Sequence, residues 1–171
     1  MPCTSLAPIK TIGDVLKENP GIRTAYLNVA QGGMYLQPTA VQTVLGSCLA
    51  VCFHAPSRGI GAIFHAFLPR STDFSDSPEL APYKYVDTAI ATVMAAFKKL
   101  RVAADDIEVK LTGGATALVH EHTGIGRRNV AAAREVLAGL GLRVVRSDVG
   151  GVKGRKIIYL TGSGKLFTCQ V

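Results

Sequence analysis

The chain has 171 residues, 48% hydrophobic and 18% charged, which fits one domain (residues 1–171) with its own core and excludes a disordered chain. Net charge is +7 and the pI about 9.4, which suits an acidic partner surface. The basic residues are scattered, there is no Trp and no aromatic–basic motif, so nucleic acid is not an expected partner.

No apolar run is long enough to span a bilayer, so no membrane insertion is expected. The start, MPCTSLAPIK, lacks a basic segment followed by an apolar core, so it does not read as a secretory leader. A cytoplasmic location follows, with Cys3, Cys48, Cys52 and Cys169 reduced and no disulfide framework.

In chain order, residues 1–20 are weakly patterned and receive no assignment. Ile12 to Lys17 has room for one or two helical turns before the breaker Asn19-Pro20-Gly21. Arg23 to Val29 alternates as a strand does. Gln31-Gly32-Gly33 reads as a turn, Met34 to Leu36 starts another strand, and Pro38 breaks it. Ala40 to Leu45 is apolar and β-branched and leads into a small-residue turn, Gly46-Ser47-Cys48. Two apolar runs follow, Leu49 to Phe53 and Ile60 to Phe64, joined by Pro56 to Gly59, which is the signature of a hairpin.

The segment from Pro69 to Pro82 is a long polar loop with three prolines, either a lid or collar for a site or a mobile insertion. Tyr83 to Leu100 is the clearest helix, with Val86, Ala89, Ile90, Val93, Met94, Phe97 and Leu100 on one face. Ile107 to Leu111 reads as a strand and Thr112 to Ala115 as a tight turn. His120 to Asn129 precedes a second helix, Val130 to Leu140, closed by Gly141. Leu142 to Arg146 is a strand, Asp148 to Gly154 a glycine-rich loop, and Arg155 to Val171 a second hairpin across Gly162-Ser163-Gly164. This order predicts an α+β layered sandwich: mixed sheets rich in antiparallel pairs, with two main helices on one face.

The hairpin carries the chemistry. Cys48 lies just before its first strand and His65 at the end of its second, so thiol and imidazole come to the same end. A thiolate is the reactive form of cysteine, and an adjacent imidazole can take its proton. Thr43 can supply a hydroxyl that orients the ring, and backbone N–H groups at Gly46, Ser47 and Cys48 can form an oxyanion hole. The same residues also fit a buried inert cysteine, an ordinary strand threonine and a satisfied polar histidine. Cys48, Cys52, His54 and His65 can be grouped as a zinc site, but no Cys-x-x-Cys accompanies them and no metal is expected. His120 and His122 read as capping or solvent-facing residues. The glycine patches Gly113-Gly114-Ala115 and Gly124 to Asn129 match neither a Walker loop nor a full dinucleotide fingerprint. They read as turn chemistry at a site rim.

The segment TVLGSCLAVCFHAPSRGIGAIFHAFLP, Thr43 to Pro69, closely resembles the hallmark of the CheD family of chemoreceptor glutamine deamidases. The resemblance continues through KYVDTAI, LTGGA, IGRRNV, SDVGG and Gly154-Arg155. It implies a protein-glutamine glutaminase with Cys48 as nucleophile, His65 as base and Thr43 as the third residue. In some members that threonine stands one position upstream, where this chain has Gln42. The resemblance also implies a fold similar to the cytotoxic necrotizing factor toxins and no cofactor. The implied partners are methyl-accepting chemotaxis receptors as substrate and a CheC phosphatase. A non-catalytic receptor adaptor and a thiol peptidase or transglutaminase-like enzyme are the alternatives.

Overall fold

The computed structural model describes residues 10–75, 77–116 and 124–171. In chain order the elements are α1 (Ile12–Glu18), β1 (Arg23–Tyr26), β2 (Gln31–Tyr35), β3 (Thr39–Leu45), β4 (Leu49–Ala55), β5 (Ile60–Ala66), α2 (Val86–Lys99), β6 (Glu108–Gly113), α3 (Ile125–Gly139), β7 (Arg143–Val149), β8 (Arg155–Leu160) and β9 (Lys165–Gln170). They form a four-stranded sheet, β1-β3-β8-β9, and a five-stranded sheet, β2-β5-β4-β6-β7. The pairs β1–β3 and β6–β7 are parallel and the others antiparallel.

Layering follows from side-chain alternation. On β4 and β5, Leu49, Val51, Phe53, Ala62 and Phe64 face α2 and α3, whose Ile90, Val93, Phe97, Ala133 and Leu137 cover them. Their other face presents Ala50, Cys52 and Ile63 to Val41, Leu45, Ile157 and Tyr159 of the second sheet. Both faces of β4 and β5 are therefore covered, which is why LAVCFHA and IGAIFHA are continuous apolar runs rather than alternating ones. On the outer face of the four-stranded sheet, Val15 of α1 packs on Ala40, Ile158 and Leu160. Thr11 and Asp14 cap α1 reciprocally. The α+β sandwich with two main helices on one face is as the sequence predicts.

Several local expectations are corrected. Gln31-Gly32-Gly33 is not a turn; it is the start of β2, with Gln31 paired to His65. The turn lies just before it, where Ala30 takes a left-handed backbone at φ 62. Thr112 and Gly113 belong to β6, and Asp148 and Val149 to β7. The second helix starts at Ile125, five residues before Val130. Its buried stripe begins Gly126, Asn129, Val130, Ala133, so a glycine and an amide hold the first core-facing positions and hide the apolar period. The loop after β5 is tied down near its start. Ser71 donates to the Asp87 carboxylate, and Arg128 pairs with Asp73 at 2.9 Å. His120 and His122 lie outside the described residues.

Gly113 shows how tightly the two ends of the core are fitted. Its φ is +111, and a Cβ there would stand 2.4 Å from the Cys48 carbonyl oxygen. Left-handed strain costs about 1–3 kcal/mol before any clash is counted. Gly113→Ala is expected to lose at least about 2 kcal/mol, lowering Tm by roughly 4–8 °C for a chain of this size, measured by thermal melting.

Candidate active site

Cys48 stands in the connection that carries the chain from β3 in one sheet to β4 in the other. The β4–β5 ladder pairs Ala50 with His65, so the imidazole points to the inter-sheet face shared by Ala50 and Cys52. Cys48, two residues before Ala50, packs against that same cluster. Cys48 and His65 thus lie at the same end of the hairpin, on the side that faces the other sheet.

Thr43 reaches the ring from the opposite sheet. Its Oγ1 lies 2.8 Å from His65 Nδ1 and 2.7 Å from the Leu27 carbonyl oxygen. A hydroxyl has one hydrogen, and a carbonyl can only accept. The Thr43 hydroxyl therefore donates to Leu27, and His65 Nδ1–H donates to Thr43. This assigns the ring proton to Nδ1 and leaves the Nε2 lone pair available. Nε2 is buried, with no hydrogen-bond partner among the described residues. The short turn after β1 braces both groups, because the Ala30 N–H also donates to the His65 carbonyl at 2.8 Å.

Burial holds the Cys48 thiol above its ordinary value, opposed by its own backbone N–H. Burial also pulls the His65 imidazole below its ordinary value, opposed by the Leu27 carbonyl. Both effects disfavour the charged forms.

The carbonyls of the loop from Gly46 to Cys48 are all turned inward. Gly46 O accepts from Ala115 N at 2.9 Å, Ser47 O from Asn129 Nδ2 at 3.0 Å, and Cys48 O from Gly114 N at 2.7 Å. In a trans peptide the N–H points opposite to the carbonyl. Clamping the Gly46 and Ser47 carbonyls inward therefore turns the Ser47 and Cys48 N–H groups outward. Gly46, Ser47 and Cys48 line a groove of about 640 Å³ whose other walls include Phe67, Leu68, Ile125 and Val152. Apolar walls around a few polar backbone groups suit a protein side chain entering from solvent.

The other sulfur and imidazole do not join this group. Cys52 is fully buried between the sheets, and burial pushes its thiol far above the ordinary value despite nearby Lys110. His54 is at the far end of β4, where Nε2 lies 3.1 Å from the Gly162 carbonyl. The grouping of Cys48, Cys52, His54 and His65 is not assembled. Among the described residues no cluster of three or more His, Cys, Asp or Glu is placed to hold a metal.

Two supports were not visible in the sequence. The Leu27 carbonyl is a backbone atom, with no side-chain signature. Arg155 is 4% exposed and braces the loop before β8 through Asp148 at 3.0 Å and the Gly150 carbonyl at 2.9 Å. That loop supplies Val152 and Gly154 to the groove. Its sequence signal is the Gly154-Arg155 pair that the family resemblance includes, at the start of β8.

A family model described as CheD chemotactic sensory transduction matches residues 67–170. A Maridesulfovibrio salexigens protein named probable chemoreceptor glutamine deamidase CheD is 40% identical over 154 residues, covering 85% of this chain and 91% of the relative. The Thermotoga maritima chemoreceptor glutamine deamidase CheD is 33% identical over 146 residues, covering 85% and 90%. A solved Neisseria meningitidis structure of family DUF152 aligns with a TM-score of 0.47 at 12% identity, over 82% of this chain and 69% of that one. With this identity extending over most of both sequences, the chain belongs to the CheD family.

Proposed function

We propose that the chain is a chemoreceptor glutamine deamidase, with Cys48 as nucleophile, His65 as general base and Thr43 as the residue that positions the ring. The observation that carries this reading is the Thr43–His65 contact at 2.8 Å, which leaves Nε2 free on the face occupied by Cys48. The names of the relatives supply the substrate class.

In this scheme His65 Nε2 takes the Cys48 proton as Sγ attacks the carboxamide carbon of a receptor glutamine. Negative charge on the carboxamide oxygen meets the N–H groups of the loop at Gly46, Ser47 and Cys48. The protonated ring gives its proton to the departing amine, and ammonia leaves a thioester on Cys48. Water, deprotonated by His65, attacks that thioester and releases glutamate and the free thiol. Every proton is moved by His65 and water. The receptor's signalling helices are the substrate, which puts the chain in the cytoplasm, and a CheC-type phosphatase is the second partner of this reading.

The test is mass spectrometry of a chemoreceptor cytoplasmic fragment after incubation with the wild-type chain, with ammonia measured in parallel. Site-specific conversion of glutamine to glutamate with matching ammonia supports the reading. Stable binding of the fragment without conversion would turn it into an adaptor.

A further inference from the structure

Among the described residues, Asn129 is the one wholly buried amide in a position to govern the nucleophile loop. It lies in the first turns of α3 and is 0% exposed. Its Nδ2 donates to two carbonyls that are far apart in the chain: Ser47 O at 3.0 Å and Phe67 O at 3.2 Å. The first belongs to the peptide joining Ser47 to Cys48. The second lies two residues beyond His65. One side chain therefore ties the loop that carries the thiol to the end of the strand that carries the imidazole.

Helix α3 is brought close enough for this by Gly126, where a Cβ would stand 2.5 Å from the carbonyls of Gly114 and Ala115. Asn129 Oδ1 is buried with no partner among the described residues. An amide kept in a core at the cost of an unpaired oxygen is expensive, and a leucine, branched in the same way, would avoid that cost. What the leucine would not do is hold the Ser47 carbonyl inward.

Resting on the deamidase reading, we infer that Asn129 is a positioning residue for transition-state stabilisation: by fixing the Ser47–Cys48 peptide it aims the Cys48 N–H at the developing oxyanion. Its effect falls on the step that builds negative charge on oxygen. It does not fall on the thiol's own reactivity, which depends on His65.

Two reactions of the same thiol separate these roles. Deamidation passes through an oxyanion. Alkylation of Cys48 by iodoacetamide displaces iodide and builds none. In Asn129→Leu and the isosteric Asn129→Asp, which keeps at most one donor, kcat for the receptor fragment is expected to fall roughly 10- to 100-fold, below the cost of deleting an oxyanion donor outright. KM and the alkylation rate of Cys48 should stay within about two-fold. Thermal melting identifies which variants are folded, and Asn129→Asp keeps the test readable if Asn129→Leu is not.

Deamidation retained in a folded variant overturns the inference. So does a parallel loss of alkylation and deamidation, which would mean that the whole loop has collapsed. A wild-type chain that alkylates but deamidates no receptor glutamine overturns the deamidase reading instead.

Discussion

Cys48→Ala is expected to abolish receptor deamidation while leaving the fold intact. Without Sγ there is no thioester, and the remaining groups can only orient water against an amide. Removing the nucleophile of a comparable unit costs roughly 10⁶-fold in kcat, with a residual from the oxyanion donors. Cys48 is half-buried at the edge of the inter-sheet cluster, so truncation removes little packing. The stability cost should be about 1 kcal/mol. Receptor binding should persist, because the apolar walls at Phe67, Leu68, Ile125 and Val152 are untouched. A variant that binds the fragment, melts near the wild-type temperature and converts no glutamine is the expected result. Retained conversion would remove Cys48 from the nucleophile's role, and Cys52, buried between the sheets, would be a poor replacement.

The second large effect concerns His65 and its threonine. The base must be neutral to accept the thiol proton, so kcat/KM should rise with pH as His65 loses its proton. Burial lowers that ionisation from the ordinary 6.5, which puts the acidic limb of the profile below pH 6.5. A limb above 6.5 would mean that the ring is stabilised as a cation, as in a preformed thiolate–imidazolium pair. His65→Gln should cost roughly 10²- to 10⁴-fold, the range of general-base catalysis. Thr43→Val, which removes the acceptor for Nδ1–H but keeps the shape, should cost less, between about 10- and 100-fold in kcat. The loss arises because the ring is no longer held in one tautomer. Thr43→Ser should restore most of it. A valine variant with wild-type kcat would make Thr43 a plain strand residue.

The legible parts of this protein were those governed by local pattern. The β4–β5 hairpin was visible because two apolar runs flank Pro56 to Gly59, and the relation of Cys48 to His65 followed from pairing alone. Helix α2 was visible from its 3.6-residue stripe, which the buried Val86, Ala89, Ile90, Val93 and Phe97 reproduce.

Contacts between sheets left no such trace. Thr43 is on β3 in one sheet and His65 on β5 in the other, so their 2.8 Å contact depends on how the sheets stack. Sequence names Thr43 as a candidate for orienting the ring, but not the stacking that brings it there. The start of α3 is hidden in the sequence because Gly126 and Asn129 occupy buried positions that a periodicity argument expects to be apolar. The glycines at 32, 113 and 126 read as turns in the sequence. They serve instead where backbone or ring comes too close for a Cβ. Glycine at a close approach and glycine in a turn look the same in sequence.

The most direct test of the central claim is to trap the thioester. A chemoreceptor fragment is mixed with the wild-type chain, quenched in acid within the first turnovers, and the peptide containing Cys48 is analysed by mass spectrometry with and without hydroxylamine. The account predicts a receptor peptide joined to Cys48 through the glutamine side chain. Hydroxylamine should release the adduct as a hydroxamate at that same glutamine, and Cys48→Ala should form none. Glutamate formed at the wild-type rate with no adduct on Cys48, and undiminished in Cys48→Ala, would contradict it.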